Sequence, residues 1–257
     1  MSSVFPMCRK QFALCAVTLM AGTTASAATR AELEQTIANP APGNSDFFGV
    51  SVDVDAGTVI VGASGNDAGA SNSGSAYVFD TSTGGLLRTF HNPDPDDADS
   101  FGQAVAIEGS AALIGAYSDD TGAAGAGSAY LFDVSTGGLL HTFNNPDPDA
   151  TDFFGRAVAL DNGQSLIGAE GESSNASDSG AAYLFDNATG NLTRTFDNPD
   201  ADAGDNFGTS VALHDGQALI GAELDDTGAT DAGSAYLFDT ATGGLLQTFN
   251  NPDAATS

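Results

Sequence analysis

Residues 101–133 read FGQAVAIEGSAALIGAYSDDTGAAGAGSAYLFD. Gln103–Ile107 and Ala112–Ala116 are short apolar runs joined through Gly109-Ser110, a connection short enough to close a hairpin. The run that follows, Ser128–Asp133, has the same form as Ser75–Asp80. In that copy Tyr77 and Phe79 fall on one face and Ala76 and Val78 on the other, by the two-residue period of a strand. Both faces are apolar, so the strand belongs to a sheet that is covered on both sides.

The stretch recurs. Phe-Gly stands at 48–49, 101–102, 154–155 and 207–208, a spacing of 53 each time. Gly-Ala follows at 62, 115, 168 and 221, and Asn-Pro closes each unit at 92, 145, 198 and 251. No insertion breaks the register, which divides the chain into repeats at about 46–98, 99–151, 152–204 and 205–257. A partial repeat at 33–45 precedes them, because Leu33–Pro40 aligns with Leu86–Pro93. Each unit is expected to hold four strands. The first is Val50–Val54, with Gln103–Ile107, Arg156–Leu160 and Thr209–Leu213 as its copies. The second, third and fourth begin with Val59–Ala63, Ser75–Asp80 and Leu86–Phe90. Asn162-Gly163 and Asp215-Gly216 link first to second strands, and such pairs favour the positive φ that a two-residue hairpin needs.

Four short strands per repeat of roughly 40–60 residues describe a propeller blade, whose faces are buried by its neighbours. The expected fold is therefore all-β: a β-propeller of four four-stranded blades, or an open arc of a larger propeller. A β-solenoid coil is shorter, nearer about 20–30 residues. A β-sandwich would need no unbroken period.

Charge narrows the partners. The 257 residues include 34 acidic and 6 basic side chains, a formal net charge of −28. Nucleic acid needs a basic patch to displace its counterions, and an anionic membrane surface needs the same, so neither is expected as a partner. The first 27 residues differ from the rest. Arg9 and Lys10 precede the apolar run Gln11–Met20, and Ala25-Ser26-Ala27 supplies small residues for cleavage after Ala27. This is the pattern of a secretory signal. It predicts a chain that is secreted or displayed at the cell surface, not inserted in the membrane after cleavage, with residues 28–257 as the mature domain. Cys8 and Cys15 both lie in the signal, so that domain has no disulfide and no cysteine metal site.

The set Phe-Gly, Ile-Gly-Ala and Gly-Ser-Ala-Tyr-Leu-Phe-Asp resembles the FG-GAP repeat of integrin α-like β-propellers, in their bacterial secreted branch. The resemblance spans roughly residues 33–252. It implies a propeller, an extracellular setting and a role in adhesion or ligand recognition, with an extracellular protein or glycan as partner. Blades of that family often carry a calcium loop between the first and second strands. Here that connection is a tight turn, with Asp53 and Asp55 as the nearest approach to it.

The acids gather elsewhere. Three fourth-to-first connections contain Asp-x-Asp-x-x-Asp: Asp94, Asp96 and Asp99; Asp147, Asp149 and Asp152; Asp200, Asp202 and Asp205. Ca²⁺ takes six to eight oxygens from such groups, so these nine are the candidate metal ligands and Ca²⁺ the candidate cofactor. Competing with this is a solvated turn, with Asp46, Asp99, Asp152 and Asp205 capping the backbone before Phe-Gly. The second-to-third connections place Asn66-Asp67, Asp119-Asp120, Glu172 and Asp225-Asp226 at matching sites, where they either complete a cation shell or, as expected, stay solvated. His91, His141 and His214 do not recur as histidine between copies, and no nucleophile elbow or phosphate-binding loop is present. The expected function is non-enzymatic recognition through the acidic loop face. A structural module of a matrix or envelope is one alternative, and a polysaccharide hydrolase or lyase using loop carboxylates another. An oligomer is compatible with all three.

Overall fold

The computed structural model describes residues 35–253. The chain divides into two units, Met1–Thr36 and Ile37–Ser257. The signal segment lies outside the described residues, and the repeats lie in the second unit.

That unit consists of four antiparallel four-stranded sheets, each in simple meander order. Blade 1 holds β1 (Val52–Asp55), β2 (Thr58–Ala63), β3 (Ser75–Asp80) and β4 (Leu86–His91). Blade 2 holds β5 (Ala104–Glu108), β6 (Ala111–Ala116), β7 (Ser128–Asp133) and β8 (Leu139–Asn144). Blade 3 holds β9 (Ala157–Asp161), β10 (Gln164–Ala169), β11 (Ala181–Asp186) and β12 (Leu192–Asp197). Blade 4 holds β13 (Phe207–His214), β14 (Gln217–Ala222), β15 (Ser234–Asp239) and β16 (Leu245–Asn250). The first three opening strands start one or two residues later than the alternation suggests. The residues before them are spent on a turn, as Val50 N–H bonds Phe47 C=O and Gln103 N–H bonds Ser100 C=O. In blade 4 the strand begins earlier, at Phe207, which pairs with Ala222 across an irregularity before Ser210. The expected hairpin geometry is present: Asn162 and Gly163 have φ of 50° and 72°.

The blades stack face to face. Ile60, Ala76, Val78 and Phe90 of blade 1 form one core with Phe101, Ile107, Ile114, Tyr130 and Phe132 of blade 2. The same positions recur between blades 2 and 3 and between blades 3 and 4. Outer-strand rings meet the next blade's third-strand rings: Phe90–Phe132 and Phe143–Phe185 at 4.6 Å, Phe196–Phe238 at 5.0 Å. Offset aromatic pairs of this kind add about 0.5–1.5 kcal/mol to the burial of the rings. Backbones approach closely as well. A Cβ on Gly115 would lie 2.0 Å from the Gly155 carbonyl of the next blade, which restricts the position to glycine.

The arc is not closed. Among the described residues no blade lies against the far face of blade 4, leaving Leu219 37% and Phe249 50% exposed. At the other end, Ile37, Phe48 and Val59 pack on Val61, Ala63, Tyr77 and Phe79.

Candidate functional site

The β2–β3 and β4–β5 connections, with their copies, lie together at one end of the blades. Ala98 N–H bonds Ser71 C=O, and Thr151 N–H bonds Ala124 C=O. In each of blades 2 to 4 the two connections bring together a pair of buried carboxylates.

The first member comes from the run before Phe-Gly. Asp152 Oδ2 accepts from Asn145 Nδ2 at 2.7 Å and from Asp149 N–H at 2.6 Å. Asp99 takes the same two bonds from Asn92 and Asp96, and Asp205 takes them from Asn198 and Asp202. Asp46 does likewise with Asn39 and Gly43. The flanking residues Thr151 and Phe153 have φ of 70° and 57°, and Ala98 and Ser100 have 73° and 60°. Left-handed backbone is costly for such residues, and the surrounding bonds hold it in place.

The second member sits at the start of the β2–β3 connection or its copy. Asp119 accepts from Tyr130 OH at 2.8 Å and from Thr121 N–H at 2.8 Å. Glu172 accepts from Tyr183 OH at 3.0 Å and from Ser174 Oγ at 2.7 Å. Asp225 accepts from Tyr236 OH and from Thr227 N–H. Blade 1 has the neutral Asn66 here, accepting from Ser75 Oγ.

Two carboxylates so placed resist double ionisation. Burial, reinforced by the nearby Asp119 carboxylate, pushes Asp99 up to about 6 despite its bond from Asp96 N–H. Burial and the Glu172 carboxylate push Asp152 up to about 6. Asp205 is raised for the same reasons, with burial first and Asp225 as the like charge. Burial opposes ionisation of Asp225 too, but bonds from Thr227, Tyr236 and Ser234 outweigh it and hold its carboxyl below the ordinary value. Burial and the facing acids raise Tyr130, Tyr183 and Tyr236, which stay protonated as donors. Asp152 Oδ1 is buried without a hydrogen-bond partner. Protonation at this oxygen would relieve the pair.

The nine expected metal ligands do not form three shells. Asp99, Asp152 and Asp205 fold inward as backbone caps, while Asp94, Asp96, Asp147, Asp149, Asp200 and Asp202 stay exposed. Among the described residues, the one trio of acidic or histidine ligands within 4.8 Å is Asp161, His214 and Asp215, at the opposite end of the blades. In each loop the last carboxylate is taken up by the loop's own asparagine and by the backbone N–H of the second aspartate. Asp119, Glu172 and Asp225 also depart from expectation, being buried rather than solvated. The signal for them was the Tyr eleven residues downstream, whose hydroxyl needs an acceptor inside the core.

The FG-GAP repeat model matches the sequence four times, over residues 34–79, 88–132, 143–185 and 195–238. The chain belongs to the FG-GAP repeat family. No curated protein matches it. In this FG-GAP chain the β1–β2 turn has no room for a calcium loop, and its acids serve another purpose. Asp53 Oδ2 accepts from Ile107 N–H at 2.8 Å and Asp55 Oδ2 from Gly109 N–H at 2.7 Å, tying blade 1 to blade 2. Glu108 and Asp161 repeat the second tie to the following blade. His141 bonds the Asn187 carbonyl of blade 3 at 3.0 Å. Arg88 makes the equivalent reach to Val134 C=O at 2.8 Å.

Proposed function

We propose that this FG-GAP chain is a secreted or surface-displayed, non-enzymatic recognition scaffold that contacts an extracellular protein or glycan through its acidic loop face. The observation that carries the reading is the sorting of acids into two layers on that face. Buried pairs fix the loops, while Asp94, Asp96, Asp147, Asp149, Asp200 and Asp202 remain exposed above them. A row of exposed carboxylates on ordered loops suits a partner that presents positive charge, either a basic protein segment or a glycan bridged by divalent cations. Calcium enters this reading as a bridging ion between the exposed row and the partner, because the loops do not gather their own three carboxylates.

Two features favour recognition over turnover. The groove between the first strands, about 310 Å³ in volume, is lined by Val105, Val158, Val211 and their neighbours. Its one carboxylate is Asp53, already bonded to Ile107 N–H. The paired acids Asp152 and Glu172 are buried away from any substrate.

The test is binding of an oligolysine probe, and of an acidic polysaccharide with and without millimolar Ca²⁺, to immobilised residues 28–257. Replacing the six exposed loop aspartates by Asn is expected to abolish binding. Replacing Asp133 and Asp239 at the other end is expected to leave it intact. Equal loss from both sets, or no binding by the parent chain, would overturn the proposal. Hydrolysis or eliminative cleavage of the polysaccharide would overturn the non-enzymatic reading.

A further inference from the structure

We infer that the open face of blade 4 receives blade 1 of a second copy, head to tail. The three internal interfaces share one apolar pattern, and blade 4 carries the same half of it unused. Leu113 and Leu166 are fully buried under the next blade, while Leu219 at the same place is exposed. Phe143 and Phe196 are 2% exposed, and their counterpart Phe249 is 50% exposed.

The polar contacts agree. Ser51 Oγ donates to the Gly102 carbonyl of the following blade at 2.8 Å. Its counterpart Ser210 lines an open cavity with Gly221, and no carbonyl from a following blade approaches it. Cβ atoms on Gly62, Gly115 and Gly168 would sit 1.9, 2.0 and 2.0 Å from the next blade's glycine carbonyl. Gly221 keeps this absence of a side chain although its own chain brings only the Ser210 side chain and carbonyl near that position. Arg88, His141 and Arg194 reach the next blade, whereas Gln247 at the same place turns back to Thr248 C=O.

The complementary half stands at the other end. Val105 and Ile107 of blade 2 are 8% and 4% exposed under blade 1, while Val52 and Val54 in the same positions of blade 1 are 66% and 64% exposed. A second copy is therefore the occupant that the chain itself specifies: the residues that blade 4 lacks opposite it are those that blade 1 leaves bare. One adjustment accompanies docking. Ile37, packed with Tyr77 and Phe79, occupies the place that an outer-strand Phe takes elsewhere. It lies outside any strand, whereas Phe249 belongs to β16, so Phe249 of the docking copy displaces it. Such a contact is heterologous and either closes into a ring or propagates. Two copies give a ring of eight blades, at the upper end of the usual range of about four to eight.

Sedimentation velocity of residues 28–257 over a wide concentration range tests this. The parent chain is expected to sediment as a dimer. Leu219→Asp, on the tail face, and Val52→Asp, on the head face, are each expected to weaken self-association at least tenfold. Mixing the two is expected to restore a one-to-one complex, since one intact head then meets one intact tail. Gly221→Ala, whose side chain blocks the backbone approach without removing apolar surface, is expected to give a folded monomer by circular dichroism. A parent chain that stays monomeric would overturn the inference. So would a dimer that Leu219→Asp breaks and Val52→Asp leaves intact, which signals tail-to-tail contact.

Discussion

Leu113 in blade 2 and Leu219 in blade 4 occupy the same position of the repeat, on the same strand and beside the same Gly-Ala. The first is fully buried and the second is 37% exposed. Neither strand pairing nor blade sequence differs enough to cause this, since β6 and β14 pair with their neighbours in the same register. The difference is the neighbour. A sheet with two apolar faces buries one against the blade before it and the other against the blade after it. Stability in this fold is therefore a property of interfaces more than of blades, as in other repeat arrays.

Core truncation should show the contrast most strongly. Leu113→Ala is expected to cost about 2–5 kcal/mol in urea unfolding, the range for a filled core position. Leu219→Ala in a dilute, monomeric sample is expected to cost less than about 1 kcal/mol. Equal losses would mean that the blade 4 face is covered in solution. Backbone approach comes next. Gly115→Ala drives a methyl into the Gly155 carbonyl and is expected to cost about 1–3 kcal/mol, whereas Gly221→Ala meets only the Ser210 hydroxyl, which rotates aside, and should cost less.

The acid pairs give a smaller, pH-dependent effect. Asp99 and Asp152 bind their proton more tightly folded than unfolded, since their folded values lie near 6 against an ordinary 3.8. Their contribution is complete below about 3.8 and is lost as pH rises through about 6. It should amount to roughly 1 kcal/mol per aspartate, less than the bare shift implies because water screens the loops. Unfolding at pH 4 and pH 7 should show the loss, and Asp152→Asn should flatten it more than Asp205→Asn. The smallest effects belong to the third-to-fourth turns. Asp186 and Asp239 both accept from a Thr hydroxyl and a Thr N–H three residues on, all within one blade. Asp186→Ala and Asp239→Ala should therefore shift the melting temperature slightly and equally. An unequal shift would show that blade 4 differs in more than its missing neighbour.

The repeat length, the four strands and the two-sided burial of β3 were legible because period and alternation are local properties. So was the capping by Asp99 and Asp152, whose partners lie seven residues away in the same loop. The pairing of Asp99 with Asp119 was not, although Tyr130, eleven residues on, carried a signal for the burial of Asp119. That pairing depends on how two loops settle at one end of a blade, and an acidic loop reads the same whether its carboxylate points out or in. The open arc stood as one of two readings, and the residues of blade 4 could not choose between them. Those residues carry the full apolar pattern, and pattern records what a face can bury, not whether anything arrives to cover it.

The clasp between Asn145 and Asp152 has a mechanical side. Asn145 follows the last strand of blade 2, and Asp152 opens the next repeat seven residues later. The same clasp ties blade 1 to blade 2 through Asn92 and blade 3 to blade 4 through Asn198. Tension applied along the chain would load these clasps in series, ahead of the sheets they join. Each rupture would free at most roughly 25 Å, the extended length of seven residues. The blades would then separate one at a time, a graded response to pulling.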